Sequence, residues 1–400
     1  IGQLSSSEIR RALNDPEPGI RENAIKLAER HLVKDPSMAE DLLALASDNH
    51  PKVKFQLLCA LGFVQTPEAD KIRQDLLFEN LHDPWMQIAA LSAPNSHKTG
   101  LLDAVLARFR NDEPAYASLV QRLSAMAGAS QDVVTIQRLI ARATSQSSTG
   151  GWQGPVLQGL AQGLRGKNTD GLPFASLRSM LITSVFNHTS APVRKGSLDL
   201  LRVMGLPDGN ETNVAIEKSR RIAADLRLDP RVRAEAVEFI GLANPVSLAD
   251  FLKSLIATGE ALPVQVAALR ALSAIPDVTV SNFVIERWPT LTPDLRDVGL
   301  DTFFESPERV KLLLDAIESD AIPQGSVDFY RSVRLRTNAD VTLRNRARAI
   351  FDKRDGGRKK VVDAYKTALT LSGDVTKGEG VFKRNCSTCH QVRGQLGVPY

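Results

Sequence analysis

Apolar residues recur along this chain at three- and four-residue spacing, and runs alternating apolar with polar residues are rare. Stretches such as SSSEIRRALND, MAEDLLALASD, DKIRQDLLFENLHD and TGLLDAVLARFRND put their apolar residues on one face of a 3.6-residue helix. Short turns containing Pro or Asp separate them. The pattern predicts an all-α fold made of amphipathic helices.

Stacking the segments exposes a repeat. DPEPGIRENAIKLAERHL, DNHPKVKFQLLCALGFV and DPWMQIAALSA align so that Ile20, Val53 and Met86 lie 33 residues apart, with Ala24, Leu57 and Ala90 four residues on. The pattern returns with Val193, Val232, Val264, Leu295 and Leu343 leading, at steps of 31 to 48 residues. Asp15, Asp83 and Asp229 are each followed by Pro, which suits an N-cap and a first helical residue. The leading apolar residue is expected to begin a buried stripe. A small residue four positions later (Ala24, Ala236, Ala268, Gly299, Ala347) lets a partner helix come close. One such hairpin cannot bury its own apolar face, whereas stacked neighbours can.

This pattern resembles the HEAT-repeat family over roughly residues 5–352, more weakly at 98–190. The resemblance implies a superhelical α-solenoid of helical hairpins. It also implies that Arg21, Arg194, Arg233, Arg296 and Arg344 fill a structural polar position that pairs with an Asp of a neighbouring repeat. SQSSTGGWQGP at 145–155 reads as a Gly- and Ser-rich loop that either subdivides the array or joins two repeats, with Trp152 anchoring the helix that follows.

Charge changes the picture little. A net charge of +4 over 400 residues carries no concentrated basic face, so nucleic acid is not an expected partner. No run of about 18 apolar residues is present, so no transmembrane segment is expected. The first residues show no signal peptide, and the chain is expected to be a piece of a longer protein. No Ser/His/Asp arrangement, phosphate-binding loop or HExxH motif occurs, and no catalytic residue is assigned.

The chemistry concentrates near residue 390. VFKRNCSTCHQVRG holds Cys386 and Cys389, two of the three cysteines, with His390 directly after. A shuffled chain of this composition would contain Cys-x-x-Cys-His about 0.0003 times, and the spacing is that of c-type haem attachment. Two thiols so spaced can add across neighbouring vinyl groups, and the following imidazole is then placed to ligate the iron. A structural zinc site would need about four ligands, more than this motif supplies. Cys59, in QLLCALGFV, reads as a small apolar residue on a repeat helix.

Gly378, Phe382 and Cys386 recur at i, i+4 and i+8, which resembles the N-terminal helix of class I cytochromes c; the Gly-containing stretch after His390 is similar too. The resemblance implies one covalent haem c, tethered by Cys386 and Cys389 and ligated by His390. Met38, Met86, Met126, Met180 and Met204 all lie upstream, so the distal ligand is expected outside this chain. The expected organisation is a HEAT-like solenoid at 1–352, a basic linker and helix at 353–372, and the start of a cytochrome c domain at 373–400. The whole is similar to bacterial multidomain haem-binding proteins that carry an upstream dehydrogenase-like domain. That likeness implies electron transfer through the haem, an oxidoreductase as parent, and the repeats as scaffold or docking surface. Expected partners are a redox protein or the upstream domain, in the periplasm or another extracytoplasmic space. The basic residues Lys353, Arg354, Arg358, Lys359 and Lys360 could steer an acidic redox partner. The alternative reading is a non-catalytic interaction scaffold that binds no haem.

Overall fold

The computed structural model describes residues 4–92, 98–146, 150–167, 174–243, 246–352, 361–386, 390 and 392. Among them the fold is all-α, without a β-strand. The chain divides into two compact units, Ile1–Ile275 and Pro276–Tyr400. The 145–155 stretch falls inside the first, and α10 begins within it.

The first unit contains α1 (Ser6–Leu13), α2 (Pro18–His31), α3 (Met38–Ala44), α4 (Pro51–Ala60), α5 (Pro67–Glu79), α6 (Pro84–Leu91), α7 (Lys98–Ala107) and α8 (Pro114–Ser130). It continues with α9 (Val133–Thr144), α10 (Gln153–Leu164), α11 (Ala175–Asn187), α12 (Ala191–Met204), α13 (Asn210–Ala224), α14 (Pro230–Leu242), α15 (Ala249–Ser254) and α16 (Leu262–Ser273). The second contains α17 (Thr279–Arg287), α18 (Pro293–Thr302), α19 (Pro307–Glu318), α20 (Phe329–Arg336), α21 (Val341–Phe351) and α22 (Val375–Asn385).

Proline sets many of the helix starts. Pro18, Pro51, Pro67, Pro84, Pro114, Pro230, Pro293 and Pro307 each open a helix, where the missing N–H costs no hydrogen bond. Asp83 accepts the Trp85 N–H and Asp229 the Arg231 N–H, as expected of caps. Asp15 does not cap α2. The sequence there is Asp-Pro-Glu-Pro, the second proline takes the first helical position, and Glu17 becomes the N-cap while Asp15 accepts the Glu17 N–H at 2.8 Å.

Within the first unit, helices pair in sequence and then pack on the next pair. α1 meets α2, α5 meets α6, α11 meets α12 and α13 meets α14, while α2, α4 and α6 form one row and α8, α10, α12, α14 and α16 another. In the second unit α17, α19 and α21 pack in the same succession. The repeat positions occupy these contacts. Val53, Met86, Val193, Val264, Leu295 and Leu343 are buried, and so are Ala24, Leu57, Ala90, Ala236, Ala268, Gly299 and Ala347. Val232 is half-buried. Ile20 is 44% exposed, and the buried stripe of α2 begins at Ala24 and Ile25.

The arginines of the repeat close the joints. Each is early in its helix and turns back to donate to carbonyls before it: Arg21 to Asp15 and Pro16, Arg194 to His188 and Thr189, Arg233 to Ala223, Arg296 to Trp288 and Pro289, Arg344 to Asn338 and Ala339. Three also grip a carboxylate further along. Arg21 Nε lies 2.7 Å from Asp48, Arg194 Nε 2.6 Å from Glu235, and Arg233 Nη2 2.6 Å from Glu260. All five are held in structural contacts, but the expected pairing with an Asp occurs at Arg21 alone: Arg194 and Arg233 use a Glu, and Arg296 and Arg344 meet no carboxylate among the described residues.

Helices α8 and α10 cross closely, in the stretch where the sequence pattern is weakest. A Cβ on Gly159 would overlap the Gln121 carbonyl oxygen, and one on Gly163 the Ala125 carbonyl oxygen. Both obstacles are backbone, so neither can swing aside. Trp152 is buried just before α10, with the Arg142 guanidinium 5.4 Å from its ring centroid, as an anchor for that helix should be.

Two outcomes follow from this packing. Gly163→Ala should lower stability by about 1–3 kcal/mol through overpacking. Gly100→Ala, on an open part of α7, should be neutral or raise it by up to about 1 kcal/mol. Chemical denaturation of the two variants gives the sign of each. The second outcome concerns acid. Burial pushes the Asp48 and Glu260 carboxyls up, but the bonds from Arg21 and Arg233, with a backbone N–H each, leave both below their ordinary values. Their stabilisation is therefore full above an unfolded pKa of about 4 and is lost as pH falls through the lower folded values. Glu260→Gln strands Arg233, whose side chain is 4% exposed, and should cost about 2–4 kcal/mol at neutral pH. Denaturation curves at pH 7 and pH 3 should show the difference from wild type shrinking in acid.

Candidate functional site

The Cys-x-x-Cys-His segment is reached through a helix that caps itself. Asp374 accepts the Lys377 N–H at 3.0 Å and starts α22. Glu379 and Lys383, four apart, meet at 2.7 Å, and that bond holds the Glu379 carboxyl below its ordinary value. Lys383 and Arg384 sit in the last turn, where their charge suits the negative end of the helix dipole. Just upstream, VVDAYKTALTL forms a helical stretch at 361–365 and a 3₁₀ turn at Lys366–Thr370 rather than one continuous helix.

Cys386 caps the C-terminus of α22, its N–H donating to the Phe382 carbonyl at 2.9 Å. The His390 N–H donates to the Cys386 carbonyl, also at 2.9 Å. Gly378 and Phe382 thus lie on α22 and Cys386 at its C-cap, at four-residue steps, and one backbone hydrogen bond ties His390 to Cys386. Phe382 and Cys386 are half-buried and His390 is exposed. The Cys386 thiol is free, and the His390 imidazole has no hydrogen-bond partner among the described residues. Cys389 and the basic residues Lys353, Arg354, Arg358, Lys359 and Lys360 lie outside the described residues.

No residue of α22 is buried, although its pattern is amphipathic. Val375 is 87% exposed and Val381 49%, and upstream Tyr365, Leu369 and Leu371 are each more than 70% exposed. Such a helix has its apolar face prepared and, among the described residues, uncovered.

The donor set fits a covalently held haem as far as it is described. The Cys386 thiol is free, the His390 N–H donates to the Cys386 carbonyl, and Phe382 lies four residues before Cys386 on α22. Attachment of this kind puts one protein nitrogen on the iron, so it does not need a cluster of converging ligands. Among the described residues no group of three His, Cys, Asp or Glu side chains converges as a metal site.

The first unit adds one feature that the sequence did not single out. Val185, Phe186, His188, Arg194, Ile222 and Glu235 line a cleft of about 150 Å³. Its two charges are spent on each other and on backbone carbonyls, and His188 Nδ1 accepts the Ser190 N–H at 3.1 Å. The five methionines all lie in helices of the first unit. No described helix is long and apolar enough to cross a membrane.

Thiol reactivity should separate Cys386 from Cys59. Burial pushes the Cys59 thiol up, so less of it is thiolate at neutral pH. Brief alkylation of the native chain, read by peptide mass spectrometry, should label Cys386 well before Cys59, and the difference should vanish in denaturant. No family model matches this chain, and no curated protein matches it.

Proposed function

We propose that this chain serves electron transfer, through one haem c held covalently near residue 390. The observation that supports the reading most is that α22 and its C-cap carry Gly378, Phe382 and Cys386 at four-residue steps and that the His390 N–H donates to the Cys386 carbonyl, with the thiol free and the imidazole without a hydrogen-bond partner among the described residues. Cys386 and Cys389 would hold the haem by thioethers, and His390 would ligate its iron. Bound haem supplies a one-electron couple. Phe382 and the uncovered apolar side chains of α22 would exclude water from one side of the group, and burial of that kind tunes a potential. The distal ligand and the remainder of a cytochrome fold would come from outside this chain.

The hairpins of residues 5–352 are read as a HEAT-like solenoid acting as scaffold. Support comes from the paired helices, the rows they form within each unit, and the arginine joints. Thioether attachment is completed outside the bacterial cytoplasm, which places the reading in the periplasm or another extracytoplasmic space. A larger oxidoreductase with an upstream dehydrogenase-like domain remains part of the proposal.

The test is a haem stain on a denaturing gel. The chain, and a version extended past residue 400, are each expressed with a periplasmic c-type maturation system beside a Cys386→Ala/Cys389→Ala control. Haem surviving denaturation only where both cysteines are present is the expected result. No stain from either form would overturn the haem reading and leave the interaction scaffold, which the arginine-linked hairpins favour in their own right.

A further inference from the structure

The α20–α21 hairpin differs in charge from the rest of the chain. Residues 329–348 contain six arginines and a single aspartate, in a chain of net charge +4. The six arginines fall into two groups. Arg331 is spent on Asp297, Asp301 and Asp328, all within 2.7 Å, and Arg346 on Asp315 and Glu318 at 2.7 and 2.8 Å. Arg336 reaches Asp352 at 3.3 Å. Arg334, Arg344 and Arg348 have no carboxylate partner among the described residues.

Those three guanidinium groups are nevertheless held in place. Arg334 stacks 4.6 Å from the Phe304 ring centroid and donates to the Phe304 carbonyl. Arg344 donates to the Asn338 and Ala339 carbonyls, and Arg348 to the Arg336 carbonyl. A fork fixed at one edge keeps other donors free and loses little entropy when an acceptor arrives. At the start of α20, Phe329 and Tyr330 stand 69% and 83% exposed, edge to face with centroids 5.8 Å apart. Tyr330 and Arg334 are four residues apart and so share a helix face.

Exposed aromatic rings beside ordered arginines are the side chains enriched at protein interfaces and among their energetic anchors. From this juxtaposition we infer that the α20–α21 hairpin is a docking surface for an acidic protein, whose carboxylates meet Arg334, Arg344 and Arg348 and whose apolar side chains cover Phe329 and Tyr330. A continuous polyanion fits less well. Asp297, Asp301 and Asp328 surround Arg331, next to the aromatic pair, and a phosphate backbone laid along the face would meet them. A protein surface can alternate sign to match. The surface lies apart in sequence from Cys386 and His390, and the inference does not depend on haem.

The test uses the full chain and three fluorescent probes: an Asp- and Glu-rich peptide with a central Leu-Phe pair, a single-stranded oligonucleotide, and vesicles containing phosphatidylserine. Anisotropy (or co-sedimentation for vesicles) is measured at low and high salt for wild type, R334E/R348E and F329A/Y330A. The expected result is peptide binding that weakens with salt, falls about tenfold or more in R334E/R348E, and falls about fivefold in F329A/Y330A. Arg334 and Arg348 are exposed, and circular dichroism checks that each variant folds; should R334E/R348E unfold, F329A/Y330A carries the test. Absence of peptide binding, or peptide binding unchanged in the folded variants, overturns the inference. So does tighter binding of the oligonucleotide or the vesicles with no loss in F329A/Y330A, which would assign the face to a polyanion or a lipid surface instead.

Discussion

The arginine at the start of the second helix of a hairpin is the constraint from which much of the architecture follows. A helical hairpin leaves backbone carbonyls exposed in the turn that precedes its second helix, and stacking would bury some of them without partners. Arg21, Arg194, Arg233, Arg296 and Arg344 each reach back to those carbonyls. Three of them then use the other edge of the guanidinium on a carboxylate further along. One side chain thus satisfies the turn and fixes the next element, a task suited to the planar five-donor fork of Arg more than to the compact ammonium of Lys. Because both partners are largely buried, the pair contributes through position as much as through net energy: replacing it with apolar groups could be neutral, whereas removing one partner is costly.

This explains which parts of the fold the sequence made legible. The heptad-like apolar spacing and the Pro at helix starts are local signals, and the helices follow them closely. Burial at Val53, Met86, Val264 and Leu295 followed the leading apolar position of the pattern. Ile20 carries the same local signal and is 44% exposed, so the signal alone does not decide burial at that position. Asp15 misled for a different reason, since a second proline two residues on offered a competing first helical position. The α8–α10 crossing was invisible to a pattern of large apolar residues, as its contact is made by Gly159 and Gly163 against carbonyl oxygens. Glycine carries no periodic signal of its own, and its use here shows only when the partner backbone is in place.

The candidate site shows the opposite balance. Its residue types and spacing were fully readable, because thioether chemistry demands adjacent thiols and an imidazole within five residues. The helix leading to it was readable too, from Gly378, Phe382 and Cys386 at four-residue steps, whereas Asp374 as its cap was not singled out. The break of the upstream segment into a helical stretch and a 3₁₀ turn was not, and the reason is physical. Val361, Val362, Tyr365, Leu369 and Leu371 are all exposed, so no packing selects a continuous helix there over a tighter turn. Helices of this length gain most of their stability from a covered apolar face, and this face is uncovered among the described residues.

Arginine therefore takes part in two kinds of contact in this chain, separated by what occupies its second edge. In the repeat joints at Arg21, Arg194 and Arg233 that edge meets an internal carboxylate, and burial makes the pair a hinge pin for the fold. On α20 and α21 the same fork is anchored to a carbonyl or an aromatic ring, but Arg334, Arg344 and Arg348 keep donors that no described carboxylate takes up. Intrachain acids would have been easy to supply, as Asp297, Asp301 and Asp328 show by converging on Arg331 nearby. Ordering a guanidinium costs side-chain entropy whether or not a counterion is present. On the α20–α21 hairpin that cost is met within the chain, by carbonyls and the Phe304 ring, while the remaining donors of the three forks face no described carboxylate.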